Sequence, residues 1–123
     1  MVVSYGSSPP AEVVFADTPL DDAPTASITA TGMCYRQIEF AGILVGTQQR
    51  ALAEKFIDFM LSVPFQEDMP LQMFVFPVNE NAELPEEFVQ YAQIPDQPAE
   101  LDSALIAANR EQWIAAWTET VLR

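Results

Sequence analysis

Histidine is absent from these 123 residues, cysteine occurs once, at Cys34, and lysine once, at Lys55. A metal site built from Cys and His needs several ligands at short spacing, so that class is excluded. A serine nucleophile needs a base, usually histidine; a Ser–Lys pair would have to recruit Lys55 from the polar side of a helix. Only four glycines are present, and no GxxxxGK[ST] phosphate loop occurs. The lone Cys34 cannot close an internal disulfide; it is a reactive thiol or, the weightier reading, a small buried hydrophobe. No apolar run approaches the roughly 18 residues that span a bilayer. The first residues show no basic segment followed by an apolar stretch, so no secretory signal is read in this chain. Met1-Val2-Val3-Ser4-Tyr5 starts abruptly in a strand-like run, and the chain reads as a piece of a larger protein.

Acid is plentiful instead. Eighteen Asp and Glu stand against five Lys and Arg, for a net charge of −13. Such a surface repels nucleic acid and anionic membrane, and tolerates a cationic ligand. The adjacent carboxylates Asp21–Asp22 and Glu67–Asp68 could in principle do acid–base work, but adjacency in sequence makes no shared pocket. Solvated surface charge is the better account. Glu39 lies within an apolar run, where it faces solvent on alternate pleats or is buried with a polar partner; the first is favoured. No residue set argues for an enzyme. Half the residues are hydrophobic and 11% aromatic, which argues against disorder despite ten prolines.

Along the chain, residues 1–5 read as a short strand ending in Gly6-Ser7-Ser8-Pro9-Pro10. Ser8 is the expected cap of a helix with Pro9 at its first position, and residues 11–15 give one or two turns. A polar loop over 17–24 leads to strands at 27–31 and 35–45, broken near Gly32. Thr47 is the expected cap of a helix over 48–61. Its Leu52, Phe56, Phe59 and Met60 share one face, predicted to be buried, opposite Arg50, Glu54, Lys55 and Asp58. Ser62 caps a shorter helix, with Pro64 in its first turn, ending before Pro70. Residues 73–76 form a short strand or extended segment before Pro77. A surface helix follows over 84–92, with Glu86 and Glu87 at its positive end. Asp102 starts the last helix, whose face carries Leu105, Ile106, Trp113, Ile114, Trp117 and Val121. The fold class read from this order is α/β, a mixed sheet with packed helices.

Three groups of aromatics could carry recognition. Trp113 and Trp117 lie four apart on one helix face, where packing on the body of the protein outweighs ligand contact. Tyr5 precedes a Gly-Ser-Ser-Pro turn and is equally an edge-of-core residue or a ligand platform. Phe74, by its apolar surroundings, is foremost a core residue.

Several segments then resemble, in order and spacing, the C-terminal part of periplasmic thiamine-binding proteins of ABC transporters. They are Ser4-Tyr5-Gly6-Ser7-Ser8-Pro9, Gln37-Ile38-Glu39, Ala53-Glu54-Lys55-Phe56-Ile57-Asp58-Phe59-Met60, Phe65-Gln66, Pro77-Val78 and Ala108-Asn109-Arg110-Glu111-Gln112-Trp113-Ile114. The helix followed by Pro77-Val78-Asn79 is shared by many two-lobed binding proteins. The Ser-Tyr-x-x-Ser-Pro opening with the Arg-x-x-Trp-Ile ending is more specific.

The resemblance implies a fragment of a two-lobed, type II periplasmic binding protein. Residues 1–31 would end the second lobe and return through the hinge; residues 32–123 would close the first lobe. It implies a solute-binding component with thiamine or its phosphates stacked in an aromatic cleft between lobes, delivered to a membrane permease. No cofactor, metal or catalytic residue is implied. The thiazolium ring is a flat cation, and each aromatic face attracts a cation by about 0.5–2 kcal/mol. The implied ligand residues are Tyr5 and Phe74 as stacking groups, with Ser4 and Gly6 shaping the cleft edge. Phe74 stands where related chains can carry a ligand-stacking tryptophan. Ala11 departs from the pattern, a second tyrosine being found there in a relative; Tyr35, nearby in sequence, is the candidate substitute. As part of a full-length protein the chain would be periplasmic or extracellular, soluble or lipid-anchored. Polyamine, ferric iron or sugar are rival ligands, the ferric option weakened by the lack of a neighbouring tyrosine pair. A small acidic interaction domain is the rival from another class. The apolar runs 2–4 and 43–45 lack neighbours in this chain and predict a homo-oligomer or an exposed hydrophobic patch.

Overall fold

Pro9 and Pro10 suit a first helical turn, where a fixed φ is already helical and a missing N–H costs nothing. The computed structural model, which describes residues 1–122, accordingly begins α1 at Ser8–Val14 behind Ser7. α2 (Arg50–Met60) starts behind Gln49, two residues after the expected cap: the Thr47 hydroxyl accepts from the Gln49 N–H at 3.2 Å and turns the chain there. α3 (Val63–Met73) begins behind Ser62 and continues through Pro70 instead of stopping before it. Pro70 is fully buried there, and its packing offsets the helix bond it cannot donate. α4 (Glu86–Tyr91) carries Glu86 and Glu87 in its first turn. α5 (Ser103–Val121) is capped as expected, the Asp102 carboxylate accepting from the Ala104 N–H at 2.7 Å.

The expected mixed sheet is absent, and the α/β assignment is corrected. Among the described residues the elements are helices, and the strand pairing is one isolated parallel bridge between Tyr35 and Ala99. Two backbone bonds surround it, Ala99 N–H to the Cys34 carbonyl at 2.6 Å and Gly32 N–H to the Gln97 carbonyl at 2.9 Å. Gly32 takes a φ of 73°, a left-handed turn that glycine adopts without strain. Alternating apolar residues favour an extended backbone, but a ladder also needs a neighbouring strand to receive its N–H and C=O groups. Residues 1–5, 27–31, 36–45 and 74–76 find none and stay extended or irregular. Glu39, in the run 36–45, is exposed.

Burial is correspondingly thin. α1 packs on α4, and the shielded residues of that pair are Pro9, Pro10 and Phe88. Phe76 lies edge-on to Phe88 with ring centres 5.8 Å apart. A second cluster joins α2 to α3, where Phe59 meets Phe65 edge-on at 5.4 Å. Buried Gln66 ties that corner together: its amide N–H donates to the Met60 carbonyl and its oxygen accepts from the Val78 N–H, each at 2.7 Å. The Asn79 amide donates to the Leu61 carbonyl at 2.8 Å. The Pro77-Val78-Asn79 segment is thereby fixed to the turn between α2 and α3.

The face of α2 expected to be buried is open: Leu52, Phe56 and Phe59 all remain more than half exposed. The stripe on α5 is open too, since no residue of that helix is buried. Trp113 and Trp117 therefore do not pack on the body of the protein as their spacing suggests. Periodicity specifies which residues share a face; it does not supply the surface that covers them. Cys34 is half-exposed rather than buried, and its thiol approaches the Ile28 carbonyl at 3.4 Å.

Candidate functional site

The turn into α1 is built from small polar residues, each with an assigned partner. The Ser8 N–H donates to the Tyr5 carbonyl at 3.1 Å, which closes the turn. The Ser4 and Ser8 hydroxyls share a hydrogen bond of 2.7 Å, and the Ser27 hydroxyl donates to the Gly6 carbonyl at 3.3 Å. At Gly6 a Cβ would stand 3.3 Å from the Gln93 carbonyl oxygen, so the close approach of two backbones favours glycine. This braced turn leaves the Tyr5 side chain projecting into solvent, with the residue 70% exposed.

Phe74 ends α3 with φ 56° and ψ 32°, the one non-glycine residue at positive φ among those described. An L-residue held there costs roughly 1–2 kcal/mol, because Cβ crowds the following carbonyl. Two contacts hold it. The Ser7 hydroxyl donates to the Phe74 carbonyl at 2.5 Å, and the Phe15 ring meets the Phe74 ring edge-on, centres 5.3 Å apart at 75°. Phe74 is 38% exposed, so part of it is open.

Ser4, Tyr5, Gly6 and Phe74, the four residues singled out for ligand contact, thus occupy one neighbourhood. Ser7 connects residues 67 apart in the chain. Sequence reasoning missed both Ser7 and Phe15. Ser7 carried a partial signal as a serine beside a helix start, yet Ser8 was the expected cap. Ser7 takes the cap position without bonding the helix N–H groups through its side chain, its hydroxyl being engaged by Phe74. Phe15 gave no signal beyond being aromatic. Tyr35 sits at the bridge to Ala99, and among the described residues no hydrogen bond or ring contact joins it to Tyr5 or Phe74.

Two shallow concavities lie elsewhere. One of about 360 Å³ is a shallow apolar patch on α5 lined by Arg110, Trp113, Ile114 and Trp117. The other, about 520 Å³, follows Thr31, Gly32 and residues 96–100. Neither includes Tyr5 or Phe74. Among the described residues no group of three or more Cys, Asp or Glu side chains could hold a metal ion. Among the described residues no helix is long and apolar enough to cross a membrane.

Comparison with known proteins gives a consistent set of relatives. No protein-family model and no solved structure matches the chain. Over 123 residues it is 33% identical to the thiamine-binding periplasmic protein of Salmonella typhimurium and 32% identical to that of Escherichia coli K12. Over 124 aligned positions it is 30% identical to the thiamine-binding periplasmic protein of Brucella suis. All of this chain is covered in each case, but only 36% of the relative. The chain therefore spans about a third of the length of the curated relatives it matches. The resemblance read from the motifs holds across all 123 residues, and the relatives are named for binding, not for catalysis.

Proposed function

We propose that this chain is part of a periplasmic solute-binding protein for thiamine or its phosphates, serving an ABC uptake system. Tyr5 and Phe74 supply aromatic faces to the cationic thiazolium ring, while Ser4 and Gly6 shape the edge of the cleft. The observation that carries the proposal is the Ser7–Phe74 hydrogen bond, which puts the turn bearing Tyr5 beside Phe74 from 67 residues away. The net charge of −13 suits a cationic ligand and would suit a polyamine equally, so spermidine is the discriminating competitor. Release to a membrane permease follows from the role and is part of the same proposal.

The test is calorimetric titration of the complete gene product with thiamine, thiamine monophosphate and spermidine. Removing one aromatic face, by Tyr5→Ala or Phe74→Ala, is expected to weaken thiamine binding about 2- to 30-fold, corresponding to about 0.5–2 kcal/mol per cation–π contact. Saturable binding of spermidine but not thiamine would change the ligand. Binding of neither would abandon the transport reading. The wide exposure of apolar side chains would then favour a small acidic interaction domain.

A further inference from the structure

We propose that Ser7 is the positioning residue of this site: its hydroxyl holds Phe74, beside the turn that carries Tyr5, in the left-handed conformation that sets its ring against Phe15. The proposal rests on the thiamine-site reading for its consequence in binding, but its structural half stands on separate observations.

Serine is a preferred residue at a helix N-cap because its side chain normally satisfies a free N–H of the first turn. Ser7 occupies that position and makes no such bond. Its hydroxyl donates instead to the Phe74 carbonyl, at 2.5 Å, across 67 residues of chain. Ser7 is 5% exposed, so little water is at hand to take over the bond if the hydroxyl is removed. At the other end, Phe74 has a backbone conformation that glycine adopts freely and phenylalanine resists. A helix can end in a left-handed residue without outside help when that residue is glycine. A phenylalanine there needs something to hold it, and Ser7 is bonded to its carbonyl. Phe15, one turn beyond the middle of α1, completes the arrangement by meeting the ring edge-on. One short helix thus carries both the backbone anchor and the ring contact, so Phe74 moves with the element that follows Tyr5. Ser7 stands at the cap position of α1, yet its hydroxyl serves Phe74.

The experiment uses the complete gene product, with Ser7→Ala, Ser7→Thr, Phe74→Gly and the double variant Ser7→Ala/Phe74→Gly. Nuclear Overhauser contacts between the Phe15 and Phe74 rings are read without ligand, and thiamine affinity is read by calorimetry. Ser7→Ala is expected to abolish the ring contacts and weaken thiamine binding roughly 2- to 10-fold, the range for loss of one net hydrogen bond. Ser7→Thr, which keeps a hydroxyl, is expected to retain both. In the Phe74→Gly background, Ser7→Ala is expected to have no further effect on affinity, because the ring it positions is gone. A simple structural role would instead give additive losses. Ring contacts unchanged in Ser7→Ala would overturn the proposal whatever the ligand. Additive affinity losses would overturn it as a statement about binding. If the unmodified protein fails to bind thiamine while Ser7→Ala still abolishes the ring contacts, the ligand reading fails and the hold of Ser7 on Phe74 stands.

Discussion

Isolated in solution, the 123-residue chain should self-associate or bind apolar dyes. The magnitude follows from its surface. The accessible area is 10,125 Å² for a mass of 13.7 kDa. A compact monomer of that mass exposes about 6,600 Å² by the scaling of folded proteins. The excess, about 3,500 Å², is in the range of areas buried in large obligate interfaces and well above the roughly 800 Å² per partner of a standard one. Much of it is apolar. Phe40 and Leu44 are over four-fifths exposed, and Phe56, Phe59 and Trp117 over half. Among the described residues the apolar side chain that is almost wholly enclosed, apart from prolines, is Phe88, at 1% exposed.

The perturbation is to express these residues alone and compare them with the complete gene product. Sedimentation velocity should show oligomers of the isolated chain that grow with concentration. An environment-sensitive apolar dye should fluoresce strongly with it and weakly with the complete product. Replacing Trp113 and Trp117 by serine should then change thermal stability by less than about 0.5 kcal/mol, as for exposed sites, where the same truncation in a core would cost about 3–5 kcal/mol. Those two replacements should also reduce dye binding. A monodisperse monomer with no dye response would refute the reasoning, as would a large loss of stability in the double serine variant measured at a concentration where the chain is monomeric. Either result would mean that α5 and the face of α2 are covered within a single copy of the chain.

Three shorter predictions follow from the same contacts. Gln66→Leu removes both bonds of a buried amide and leaves the Val78 N–H and Met60 carbonyl without it; a loss of about 1–3 kcal/mol is expected in chemical denaturation of the complete product. Asp102→Ala deletes the cap on α5 and should lower helix content in far-UV circular dichroism, with a cost of about 0.5–2 kcal/mol; Asp102→Asn should retain most of it. Gly6→Ala places a methyl 3.3 Å from the Gln93 carbonyl, so the Tyr5 turn must shift by a few tenths of an ångström. Thiamine binding is expected to fall more than thermal stability does, and a variant with unchanged affinity would remove Gly6 from the site.

Local signals were legible where the chain itself supplies their partner. Asp102 and the first-turn Glu86 and Glu87 announce helices because caps and dipole effects act within a few residues. Pro64 and Ser62 locate the start of α3 for the same reason. The sheet was the part misread. Residues 35–45 carry the apolar and β-branched content of a strand, but strand formation depends on a neighbour, and the pairing found among the described residues is the single bridge from Tyr35 to Ala99. The open faces of α2 and α5 show the same gap between pattern and partner. For the proposed site, Tyr5, Ser4, Gly6 and Phe74 could be nominated from motif order, whereas their proximity could not. It depends on Ser7 and Phe15, contacts formed across 67 and 59 residues of chain, and no short-range pattern encodes a bond of that span.

That long-range tie also bears on how the site can tolerate change. Ala11 lies on α1 and offers no aromatic face, so the site as proposed has Tyr5 and Phe74 as its stacking groups. With fewer faces, the orientation of each has greater weight, because an aromatic group attracts a cation over its face and much less at its edge. A freely rotating Phe74 would present its face only part of the time, and its affinity contribution would fall in proportion to the competent fraction. Ser7 and Phe15 restrict that freedom, one at the backbone and one at the ring. The strain at Phe74 is then a consequence of where the ring must sit: relaxing φ to a negative value would swing the carbonyl off Ser7 and the ring off Phe15. A Phe74→Trp variant, with the stronger π-face, should therefore bind thiamine more tightly only while Ser7 is present, and should lose that gain in the Ser7→Ala background. Equal gains in both backgrounds would show that the ring is oriented by something other than the Ser7 bond.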